Sequence, residues 1–223
     1  MNRNESIGVS IGESLRFVSS VAAECEALLK TVKDEVSRML LQADMIKVYS
    51  AAGDWILSYE EDETGWISME VAASLALQIK SKRLKDKNKA SGHAFIQISL
   101  AGCGTDALNN REPLIYVGWW HEPITFGEIQ MGFPIDVSTD YQLKLEEGAL
   151  FRWTHKAAPD EWCYVLRLTD VNTLQDAIKL IVTPLKRLLL GDSINDALDS
   201  LPIVRFLPAE GDSDSQQFTA MPR

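Results

Sequence analysis

Two apolar runs, residues 93–101 (HAFIQISLA) and 113–120 (PLIYVGWW), constrain most what this chain can fold into. In the first, Ala94, Ile96, Ile98 and Leu100 alternate with Phe95, Gln97 and Ser99, the two-residue period of a strand. The second is apolar on both faces, so as a strand it must be covered on both sides. Both are therefore predicted to be adjacent central strands of one sheet, which the rest of the chain feeds into or covers.

Covering elements are visible on either side. Ile11, Leu15, Val18, Ala22, Cys25, Leu29, Val32, Val36, Met39, Ala43 and Ile46 recur at alternate steps of four and three. That spacing places them along one stripe of a long helix over 11–46. Apolar Val21, Leu28 and Leu40 widen the stripe beyond a narrow two-helix seam. Packing on the chain's own sheet is the first expectation, and a helix-mediated dimer is the second. At the other end, Asn172 with Gln175 has capping-box spacing and opens a helix with Leu174, Ile178, Ile181, Leu185 and Leu188 inward. Pro184 should kink that helix, because its ring clashes with the carbonyl of Leu180. Gly191 closes it, and Ser193 with Asp196 starts a short last helix before Pro202.

Between the helices the period is two. Trp55, Leu57 and Tyr59 read as a strand ending in an acidic turn at 60–65. Those carboxylates lack the alternate-position spacing of a calcium loop, so the turn is read as solvated. Apolar residues then hold every odd position from Ile67 to Ile79, a strand despite its helix-friendly alanines. Residues 81–92 form the long tip of a hairpin leading into 93–101, and a second hairpin joins 149–155 to 161–170 through the turn 156–160. Residues 121–139 are too apolar for a free linker and are expected to pack over the sheet. Residues 201–207 read as an edge strand or ordered extension, and 209–223 as a disordered tail. The expectation is one α+β domain over 1–208, with a mainly antiparallel sheet of about six strands in 54–170, a long N-terminal helix and two C-terminal helices in 172–200 packed on it.

With 223 residues and 46% hydrophobic content, one large core is affordable. No apolar run reaches the roughly 18 to 20 residues of a membrane helix, and MNRNESIGVS lacks the pattern of a signal peptide, so a cytoplasmic protein without membrane contact is expected. Cys25, Cys103 and Cys163 form no CxxC pair and suggest buried thiols rather than a disulfide or zinc site. A formal charge of −10 argues against broad binding to nucleic acid. The exception is the basic hairpin tip, where Lys82, Arg83, Lys85, Lys87 and Lys89 could steer a phosphate backbone or acidic partner. That tip has no interleaved aromatic residue for base stacking.

Chemistry-bearing patterns are sparse. The sequence contains no GxSxG, P-loop, GxGxxG or HExxH motif, and no metal site or cofactor is expected. His93, His121 and His155 all stand at strand ends without ligand spacing. Candidate binding residues cluster around the second central strand: Trp119, Trp120 and His121, with Phe126 and Phe133 from the following loop and Trp153 and His155 from the second hairpin. Successive residues of a strand face opposite ways, so Trp119 and Trp120 belong to different faces. The function expected is a non-enzymatic binding or regulatory protein, an inhibitor, adaptor or assembly subunit, with a protein partner or homo-oligomer. One alternative is a metal-dependent nuclease or related hydrolase using Gln78 and Lys80 with Asp62 or Glu70. Another is a small-ligand pocket beneath the 121–139 loop.

Overall fold

The computed structural model describes residues 3–80, 90–101, 105, 112–126, 142–154, 160–208 and 218–222. The odd-position alternation of 67–79 becomes β2 (Ser68–Ile79), which lies between β1 (Tyr49–Glu61) and β3 (Gly92–Ser99). Beyond β3 come β4 (Leu114–Trp120), β7 (Glu161–Arg167), β6 (Leu150–Thr154) and β5 (Gln142–Glu146), in that order. All six pairings are antiparallel. The fold is α+β, with seven strands in the sheet where about six were expected. The added strand is β5, whose Leu143 and Leu145 alternate before a tight turn at Glu147 and Gly148, both with positive φ.

β3 and β4 are buried at every residue, as their composition requires. One sheet face presents Val71, Ala73, Leu75, Ile96, Ile98, Ile115, Val117, Trp119, Tyr164 and Leu166 to the helices. On it lies the C-terminal part of α1 (Arg3–Leu40), through Cys25, Leu29, Val32, Val36 and Met39. Each large side chain buried there contributes about 1.5–3 kcal/mol. The stripe thus packs on the chain's own sheet from residue 25 onward. α1 ends at Leu40 rather than continuing to 46, and a turn leads to α2 (Met45–Val48), whose first N–H is capped by Asp44.

The C-terminal helix departs from its expected phase. Its N-cap is Thr173, in a capping box with Asp176, one residue later than predicted. α3 (Leu174–Asp176) passes into a π-helical stretch, Ala177–Val182, and then into α4 (Thr183–Leu189). The expected disturbance at Pro184 therefore takes the form of a widened turn just before it. The extra residue rotates the buried face: Leu174 is exposed, while Ala177, Leu180, Ile181, Val182, Leu185 and Leu189 point inward. The Tyr164 hydroxyl, fully buried on β7, lies 3.0 Å from the carbonyl oxygens of both Leu180 and Ile181. It thereby serves the very carbonyl that Pro184 leaves without an N–H donor. Gly191, at φ +90°, ends the helix, and α5 (Ile194–Leu198) starts from Ser193 as predicted.

The second sheet face carries Ala72, Phe95, Leu114, Tyr116, Trp120, Phe151, Trp153, Cys163 and Val165. Residues 121–126 lie across it: the Ile124 N–H donates to Ser74 Oγ on β2 at 2.9 Å, and the Phe126 N–H donates to Ser58 Oγ on β1 at 2.9 Å. The small residues of β2 on this face, Ala72, Ser74 and Ala76, explain its alanine-rich composition, since larger side chains would hold the crossing segment away. Val204 and Phe206 complete the cover. Of the tail expected over 209–223, residues 209–217 and 223 lie outside the described residues, and residues 218–222 depart from the expectation of disorder. β9 (Phe218–Ala220) pairs with β8 (Phe206–Pro208), and Phe218 meets Phe151 edge-on at 5.1 Å, an apolar contact that offsets the entropy of ordering the segment.

Candidate functional site

The strand ends at which β3 begins, β4 stops and β7 begins bring two of the three histidines together. His121 Nδ1 contacts Glu161 Oε1, and the same oxygen accepts the His121 backbone N–H at 2.9 Å. Glu161 is buried and His121 half-buried. A carboxylate on Nδ1 orients the ring and holds the proton there, so Nε2 faces outward, 4.0 Å from Glu122 Oε1. His93 Nδ1 lies 3.1 Å from the His121 carbonyl, and burial lowers the His93 pKa against the opposing effect of that carbonyl. The arrangement provides one imidazole oriented by a buried carboxylate. Among the described residues no group of three or more His, Cys, Asp or Glu side chains converges to hold a metal ion.

The aromatic candidates nearby are core. Trp119 packs edge-on with Tyr49 on the helix-covered face, at 6.1 Å between centroids. Trp120 meets Trp153 edge-on at 5.2 Å on the opposite face. All three tryptophans are buried, because helices cover one face and residues 121–126 with 203–206 cover the other. Trp119, Trp120 and Trp153 are therefore not an exposed binding patch. Phe126 is half-buried against the same cluster. Phe133, His155, Cys103 and the basic tip residues Lys82, Arg83, Lys85, Lys87 and Lys89 lie outside the described residues.

The residues of the nuclease alternative are separated. Glu70 and Gln78 are eight positions apart on β2, about 26 Å at the rise of a strand. The Glu70 carboxylate is fully buried and accepts hydrogen bonds from Gln97 Nε2 and Ser99 Oγ, each at 2.7 Å. Lys80 Nζ donates to the Ile46 carbonyl at 2.7 Å. Asp62 is bound into its own turn. Glu70, Lys80 and Asp62 thus each have structural partners of their own.

Two features stand exposed whose exposure was not read from the residues. One is the N-terminal half of α1, which begins at Arg3 rather than at 11 and runs past the sheet: Ile11, Leu15 and Val18, the early members of the stripe, are exposed, and so are Ile7 and Phe17. Beside its base a groove of roughly 580 Å³ opens between α1 and the chain around Leu168–Ala177, lined by Phe17, Val21, Leu28, Leu168, Val171 and Leu174 among others. The other is Trp66, 83% exposed in the β1–β2 turn. A tryptophan amid four acidic residues and beside a glycine was the available signal for it. Compared with family models, curated proteins and solved structures, the chain matches none of them.

Proposed function

We propose that this protein is a binding protein that self-associates, pairing the projecting half of α1 with a second copy of the chain. The observation that carries this reading is the exposure of Ile7, Ile11, Leu15 and Val18 on one face of that half-helix. Its composition argues that something covers it. Residues 6–20 contain Gly8, Gly12 and five serines, with β-branched Ile7, Val9, Ile11 and Val18, a poor helix former by itself. Gly8 has no neighbouring atom near the position of a Cβ, and Gly12 meets only the end of the Arg16 side chain, so neither glycine is explained by contacts within the chain. Small residues flanking an apolar stripe let a second helix backbone approach closely.

Charge and shape favour a second copy as the occupant. The chain carries −10 overall, yet residues 3–20 contain Arg3 and Arg16 against Glu5 and Glu13, so this segment meets its own copy without net repulsion. The stripe and the groove follow one another along α1, and a two-fold axis would bring each copy's stripe to the other's groove and close the assembly. Sedimentation analysis of the intact chain tests this. A dimer at micromolar concentration is expected, with Ile11→Glu/Leu15→Glu giving a folded monomer. A monomeric parent chain would refute self-association.

A further inference from the structure

The β1–β2 turn holds its exposed tryptophan in a fixed frame. The Asp62 carboxylate accepts the N–H groups of Trp66 and Ile67 at 2.7 and 2.8 Å and the Thr64 hydroxyl. The Asp62 N–H donates to the Ile67 carbonyl at 2.8 Å, and the Gly65 N–H to the Asp62 carbonyl at 2.8 Å. Gly65 takes φ +70°, a conformation costly for a side-chain-bearing residue. The frame carries a tryptophan that is 83% exposed, next to Ile67 at 42%. Tryptophan is the residue type most enriched among the few that dominate protein interfaces, because it brings a large apolar area on only two rotatable bonds.

Its surroundings select the partner. Between Lys47 and Lys80 there is no Lys or Arg, whereas Asp54, Glu60, Glu61, Asp62 and Glu63 fall there, none of them buried. Phosphate surfaces, nucleic acid and anionic membrane alike, would be repelled by such a hairpin. So would the same hairpin of a second copy. We propose that this tip docks on a basic protein surface, with Trp66 entering an apolar pocket and Glu60, Glu61 and Glu63 meeting its Lys or Arg rim. The site is separate from the α1 stripe and does not depend on self-association.

The test uses the full chain and fluorescein-labelled peptides, one alternating Lys and Leu, its counterpart alternating Glu and Leu, followed by anisotropy at low and high salt. The cationic peptide should bind in a salt-sensitive manner. Trp66→Ala should weaken it about tenfold or more. Glu60→Gln/Glu61→Gln/Glu63→Gln should weaken it and flatten the salt dependence, and Ile11→Glu/Leu15→Glu should leave it unchanged. Circular dichroism and sedimentation accompany each variant. The proposal fails if the cationic peptide does not bind, if Trp66→Ala binds it as the parent does, or if the acidic peptide binds equally. It also fails if Trp66→Ala lowers the assembly mass instead, which would make a second copy the occupant, or if the α1 variant loses the peptide.

Discussion

At the scale of single residues, three positions make the packing testable. Gly118 has no room for a Cβ, which would come within 2.0 Å of the Trp162 carbonyl oxygen and 2.8 Å of Cys163 Cα, both backbone atoms of the adjacent strand. Gly118→Ala must push β4 and β7 apart, and denaturant unfolding should report a loss of about 1–3 kcal/mol. Tyr164→Phe removes the hydroxyl beside the Leu180 and Ile181 carbonyls without changing the ring's packing. A loss of about 1–3 kcal/mol follows, from the buried hydrogen bond that the hydroxyl made there, and is read in the same way. His93 is the pH-sensitive case. Burial lowers its folded pKa below the usual 6.5, so its contribution is full above that pH and is lost as the pH falls through the folded value. An NMR titration should place the His93 midpoint below 6.5, and His93→Asn should flatten the stability loss in that window.

At the scale of elements, the strands were legible where both signals of a strand were local. Residues 67–79, 93–101 and 113–120 carry their period or their two-sided apolarity in the residues themselves, and each becomes a strand of the sheet. β5 was less visible because its five residues, Gln142–Glu146, gain order chiefly by pairing with β6. The C-terminal helix was found, but its phase was not, since an α-helical period cannot anticipate the wider turn before Pro184. The acidic turn was read as solvated, yet Asp62 organises it. Hydrogen bonds from Thr64, Ile67 and Trp66 lower the Asp62 pKa to about 2. The turn's contribution should hold above about pH 4 and fade as the pH drops toward 2. A change in Trp66 fluorescence across that window, absent in Asp62→Ala, checks the frame.

At the scale of the whole molecule, α1 divides into a half that the core holds and a half that is exposed. Cys25 to Met39 are held by the core, whereas Ile7 to Val18 are exposed. Hydrogen exchange should show residues 7–20 protected in the assembled protein and rapidly exchanging in Ile11→Glu/Leu15→Glu, with 25–39 protected in both. Equal protection of 7–20 in both proteins would mean the half-helix needs no cover. Among the described residues no helix is long and apolar enough to cross a membrane. The sequence by itself determined the central strands, the long helix and the α+β class, because strand and helix periods are properties of neighbouring residues. It also determined that Trp119 and Trp120 face opposite ways, a consequence of the pleat. Only the tertiary structure decided that both are core, that α1's stripe is covered along half its length, that His121 meets Glu161, and that Trp66 stands in water. Each of those outcomes depends on what distant segments reach and where they stop, information that no local period contains.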